Sequence, residues 1–234
     1  MIHYKSYELL VLTLVILISI FGYFVINRIS ESGIANKIFN LKGYNTRKIV
    51  FQKIFGFLIF TLISILVILF SNDKDLSNFM IVLPDFQTFV WTGIYILIIF
   101  PFVYFNSRTA DNLNIYPLIR IKEWSYSLLS LSAFSWTVYI TSYEILFRGV
   151  LFFLSVPIFG VWPSIILNSA IHSIIHIPKG IKEMIGAFPF GIIICFLMYK
   201  SGNIWFAVFT HIFLALSNEW LSLYAQPQMK LKRS

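Results

Sequence analysis

The sequence predicts an all-α fold: a polytopic membrane bundle of about seven transmembrane helices, with eight as the alternative. Three observations carry this. Hydrophobic residues make up 58% of the 234-residue chain and charged residues only 12%, against roughly 25% charged in soluble domains. Apolar runs long enough to cross a bilayer recur along the chain, and the charges collect in the gaps between them. Half the usual charge cannot coat a soluble surface of this size, which excludes a cytosolic globular enzyme and a disordered chain. The single Cys195 excludes a disulfide framework and a Cys-rich metal site.

A spanning helix needs about 20 apolar residues. Residues 9–26 form the first such run, followed by Asn27 and Arg28 rather than a small-residue cleavage site, so it reads as a retained span. Residues 50–70 and 86–105 are the second and third. Residues 128–157 are apolar but interrupted by Glu144 and Arg148, too long for one flat span and too short for two. The reading is one tilted helix over 132–157, with 124–131 lying at the interface. Residues 161–177, 181–199 and 203–224 complete seven.

Charge in the gaps sets the orientation. The first loop carries Arg28, Lys37, Lys42, Arg47 and Lys48 against Glu31, and the second Asp73, Asp75 and Asp85 against Lys74. The third carries Arg108, Arg120 and Lys122. Cytoplasmic loops are rich in Lys and Arg, so loops one and three face the cytoplasm and the amino terminus faces outside. Lys179, Lys182 and the tail residues Lys230, Lys232 and Arg233 then fall inside, with Lys200 the exception. Splitting 128–157 in two would put that basic tail outside, so seven spans fit better than eight. The net charge of +8 is therefore a topology signal, not a nucleic-acid face. No internal repeat or soluble domain is legible. The chain divides by polarity into an N-terminal three-span region, 1–124, with its basic loop, and a core bundle, 125–234.

Ionisable groups inside a span are costly and are candidates for function. Here they are Glu144, Arg148, His172, His176 and His211, and the first three spans carry almost none. Glu144 and Arg148 stand four apart with the acid first, the favourable order for a helical ion pair. Such a pair serves bundle integrity, or leaves Glu144 as a base whose oxygens the arginine occupies. His172 and His176, also four apart, share a helix face. That spacing grips zinc or makes a polar seam with Asn168, Ser169 or a carbonyl on a neighbouring helix. His211 is alone in the last span. Three histidines and an acid on three helices are an expensive set to keep without a site.

These strings resemble the CPBP family of intramembrane proteases (CAAX protease and bacteriocin-processing, also called Abi), over residues 132–218. That family carries E-E-x-x-x-R-G, then F-x-x-x-H, then H-x-x-x-N on successive helices. Tyr143-Glu144-Ile145-Leu146-Phe147-Arg148-Gly149 is similar to the first motif, His172 to His176 to the second, and His211 to Ala215 to the third. The resemblance implies an intramembrane metal-dependent endopeptidase that cuts a peptide or membrane protein with an activated water. It implies Glu144, Arg148, His176 and His211 as catalytic residues. His176 and His211, with His172 added, make a three-histidine Zn2+ site with an open fourth position.

Three positions depart from the pattern. Tyr143 replaces the family's proposed base, His172 its phenylalanine, and Ala215 its oxyanion-stabilising asparagine. A phenol ionises far above neutral pH and is a poor base, while Glu144, one residue along, points about 100° away. The competing reading is therefore a pseudoprotease, a membrane scaffold that binds a partner membrane protein or acts in bacteriocin immunity. A transporter is disfavoured by the lack of repeat symmetry. No phosphate-loop, dinucleotide or serine-elbow motif occurs. The expected setting is a bacterial cytoplasmic membrane, with a peptide or membrane-protein substrate and no nucleic acid.

Overall fold

The computed structural model describes residues 2–41, 43–71 and 75–232. Lys42, Asp73, Lys74 and Arg233, which enter the charge pattern above, lie outside the described residues. The chain opens with α1 (Ile2–Glu31), a short α2 (Ile34–Ile38), α3 (Tyr44–Phe70), α4 (Phe86–Asn106) and a short α5 (Ala110–Ile115). A two-residue strand, β1 (Glu123–Trp124), precedes α6 (Tyr126–Glu144). A π-helical stretch, Ile145–Leu151, continues α6 into α7 (Phe152–Phe159). Then follow α8 (Val161–Ile175), a 3-10 turn, α9 (Ile181–Ser201), α10 (Trp205–Ala225) and β2 (Lys230–Leu231), which pairs in parallel with β1.

Among the described residues, six helices are long and apolar enough to cross a membrane: Tyr7–Glu31, Asn45–Phe70, Phe86–Asn106, Tyr126–Phe159, Ile181–Ser201 and Trp205–Ala225. Val161–Ile175 is a shorter apolar helix. These are the seven elements expected from the sequence, six of them full length. Their outer faces stay apolar: Phe86, Leu97, Phe102 and Phe105 of α4 are all exposed. Water would penalise that surface, and hydrocarbon does not. The protein is an integral membrane protein.

Helix boundaries follow local chemistry. Asp85 caps α4, its Oδ1 accepting from the Thr88 N–H at 2.8 Å. Ser125 caps α6, its Oγ accepting from the Leu128 N–H at 3.1 Å. Gly160, at φ 82°, breaks the chain between α7 and α8 in a conformation that glycine alone adopts freely. The cap at Ser125 also corrects the expectation for residues 124–131. They do not form a separate interfacial segment. Trp124 is buried in the two-stranded pairing, where Lys232 N–H donates to its carbonyl at 2.7 Å, and α6 starts at Tyr126.

The run from α6 to α7 lies at the centre. One side packs on α1 and α3 through Leu12, Phe60, Tyr143 and Phe147. The other meets α8 to α10 through Phe152, Ile165, Ile194, Met198 and Phe206. Helix α8 lies closely along α9, because Gly191 leaves room for it: a Cβ there would come within 3.1 Å of the Ser169 Cα.

Two buried ionisable groups were missed in the sequence. Lys53, in the second span, is 7% exposed, its Nζ 3.2 Å from the Trp136 ring centroid. Glu219, in the last span, is fully buried, and its two carboxylate oxygens accept the Leu118 N–H at 3.1 and 3.0 Å. Glu219 thereby ties the loop before β1 to α10.

Candidate active site

Tyr143 and Glu144 end α6, and the π-helical stretch begins one residue later. Adjacent residues on a helix point about 100° apart. Here that divergence sends each to a different helix, and each meets a histidine. The Tyr143 hydroxyl lies 2.6 Å from His172 Nδ1 on α8. Glu144 Oε1 lies 2.5 Å from His211 Nδ1 on α10. An ionised carboxylate only accepts, so His211 carries its proton on Nδ1 and leaves Nε2 with a free lone pair.

Arg148, fully buried, holds the same carboxylate. Its Nη1 is 3.4 Å from Glu144 Oε1 and its Nε 3.3 Å from Oε2. Its guanidinium also lies 5.3 Å from the Tyr143 ring centroid. The expected ion pair is therefore present, and it extends to a third member, His211. Gly149 follows in the motif for a steric reason: a Cβ there would meet the Phe79 carbonyl oxygen at 3.2 Å.

His176 caps the end of α8, and its Nδ1 donates to the His172 carbonyl at 2.9 Å. A carbonyl only accepts, so His176 too leaves Nε2 with a lone pair. The ring centroid of His172 is 4.6 Å from that of His176 and 5.5 Å from that of His211. His172 is thus the central ring of the three. Phe190 of α9 lies against the group, its ring centroid 6.0 Å from that of His172 and 5.9 Å from that of His211. The polar seam expected with Asn168 and Ser169 does not form. Ser169 Oγ donates to the Ile165 carbonyl, and neither polar atom of the Asn168 side chain has a partner among the described residues.

All three histidines line a cavity of about 720 Å³, with Asn106, Asn112 and Asp111 also on its wall. A second cavity of about 370 Å³ reaches His176, His211 and Tyr143 from the side of Lys53 and Lys179. Ala215 lines a small space of about 140 Å³ beside His211, together with Asn218 one turn further along α10. The site therefore brings together Glu144, Arg148, His172, His176 and His211, and adds Tyr143.

Residues 124–217 match the family model described as Rce1-like, type II CAAX prenyl endopeptidase. Over this segment the chain is similar to the CPBP family. No curated protein and no solved structure matches the chain. The CPBP segment starts at Trp124 and ends on α10, six residues past His211, so it contains every residue of the histidine cluster. As a membrane-protease family, CPBP implies a peptide or membrane-protein substrate in the bilayer.

The zinc ion implied by the CPBP resemblance has to be weighed against the donors present. Among the described residues, no group of three or more His, Cys, Asp or Glu side chains is disposed to hold a metal ion. Each of the three Nδ1 atoms is engaged with a protein partner, as the non-ligating nitrogen of a metal-binding histidine usually is. His176 and His211 would be the two residues to hold such an ion through Nε2.

Proposed function

We propose that the chain is an intramembrane endopeptidase that hydrolyses a bond in a peptide or a membrane-protein segment. The observation that carries this reading is the Glu144–His211 contact of 2.5 Å, with His211 on the wall of a cavity of about 720 Å³. A base oriented by a carboxylate, itself fixed by a third group, is the recurring arrangement for activating a nucleophile.

Each residue then has a role. His211 Nε2 takes a proton from a water, whose oxygen attacks the scissile carbonyl carbon. The resulting imidazolium gives that proton to the departing amine as the C–N bond breaks. Glu144 holds the proton on Nδ1 and stabilises the imidazolium. Arg148 holds the Glu144 carboxylate in place. In this reading Glu144 is a positioning residue, and the base is His211. His176 presents a second lone pair to the same cavity.

The setting we assign is a bacterial cytoplasmic membrane, amino terminus outside and carboxyl terminus in the cytoplasm, on the strength of the basic first and third loops. The second reading, a non-catalytic scaffold, is favoured by one observation: a phenol at position 143 closes on His172 where a carboxylate base would otherwise stand.

The test is cleavage of a library of membrane-embedded peptides by purified protein in lipid nanodiscs, read by mass spectrometry. Products from the wild type and none from His211→Gln are expected. Equal products from both would remove His211 as the base. No product from the wild type would leave the scaffold reading in place of the protease.

A further inference from the structure

The Tyr143–His172 contact determines which atom of His172 carries a proton. Two neutral arrangements are possible for a phenol 2.6 Å from an imidazole Nδ1. In one, the phenol donates to Nδ1. In the other, Nδ1–H donates to the phenol oxygen, and the phenol proton must find another acceptor.

Among the described residues, His172 Nδ1 is the one hydrogen-bond acceptor in contact with the Tyr143 hydroxyl. Tyr143 is 2% exposed and its ring lies against Phe60, Phe147 and the ring of Tyr139. The polar side chain beside it is Arg148, which only donates. A buried donor without an acceptor is costly. The phenol therefore gives its proton to Nδ1.

We infer that Tyr143 is a positioning residue that fixes His172 with its proton on Nε2, so that His172 faces the cavity as a hydrogen-bond donor. Its two neighbours have the opposite polarity: His176 and His211 carry their protons on Nδ1 and present lone pairs. The cluster is thus two acceptors and one donor, not three equivalent ligands. A single N–H among lone pairs suits one ligand chemistry: an oxygen that bears or develops negative charge, such as the carbonyl oxygen of a peptide under attack. This last step rests on the protease reading; the tautomer of His172 does not.

The decisive measurement is NMR of 15N-histidine-labelled protein in detergent micelles. The four histidines are few enough to assign by replacing each with Gln in turn. Pyrrole-type and pyridine-type nitrogens are distinct in such spectra. His172 should show a pyrrole-type Nε2 and a pyridine-type Nδ1, with the reverse for His176 and His211. In Tyr143→Phe, only the His172 pattern should change, towards the reverse or an average.

A protonated Nδ1 on His172 in the wild type overturns the inference, and so does a Tyr143→Phe spectrum identical to it. The wild-type spectrum decides by itself if Tyr143→Phe does not fold. Where cleavage is measurable, Tyr143→Phe should lower kcat roughly a hundredfold with KM little changed. An expected spectrum from a protein that cleaves nothing sustains the tautomer and counts against the protease reading alone.

Discussion

Glu144 and His211 lie 67 positions apart in the sequence and 2.5 Å apart in space. The helix that carries the acid and the helix that carries the base are held together by that contact. Substituting His211 by Gln removes a proton acceptor while leaving a polar group of similar reach. Turnover should fall roughly 10²- to 10⁴-fold, the usual worth of general acid–base catalysis. Thermal unfolding monitored by circular dichroism should move little, which separates loss of the base from loss of the fold.

Arg148 has no exposed surface and no acidic partner besides Glu144 among the described residues. Arg148→Ala leaves the carboxylate buried with only an imidazole beside it, at a cost of about 3–5 kcal/mol. The double change Glu144→Leu, Arg148→Met removes both charges and should be markedly more stable than Arg148→Ala alone. Urea or thermal midpoints of the three proteins check the order.

The pH response of α4 has a defined sign. Hydrogen bonds from the Thr88 hydroxyl and N–H hold the Asp85 carboxyl below its ordinary range. Its cap is therefore fully present above that range and is lost as pH falls through the lowered folded value. Asp85→Asn retains an acceptor that does not titrate, so the acid-side decline in midpoint should flatten in this variant. Unfolding measured between about pH 3 and 6 shows it.

Much of the site was legible because polar atoms in hydrocarbon are expensive. Glu144, Arg148 and the three histidines stood out on that ground alone. Lys53 did not, because the second span was drawn from residue 50 and a lysine near its start reads as part of the basic loop. Glu219 falls inside the expected last span and was readable there, but its partner is a backbone N–H, which no side-chain pattern reveals. Tyr143 and His172 each look like a loss when read singly. Only the fold shows that they bond to each other, since 29 residues separate them. The π-helical stretch at Ile145–Leu151 has no sequence signal of its own.

Orientation can be tested without knowing the substrate. A cysteine introduced at Gln228, with the buried Cys195 replaced by Ser, should react with an impermeant maleimide from the cytoplasmic side only. Reaction from the opposite face would reverse the assigned topology.

Helix α8 has 15 residues and rises roughly 22 Å, against about 30 Å of hydrocarbon. A neighbouring helix such as α9, with 21 residues, spans the full thickness. At the end of α8 that carries His176 the chain continues in the 3-10 turn Ile177–Lys179, and Asn106 and Asn112 line the cavity there. Lipid meeting such a short element thins around it. In the proposed protease, water would reach the imidazoles along this asparagine-lined wall rather than through oil, and the membrane's own thickness would become a variable that sets how readily the site is wetted.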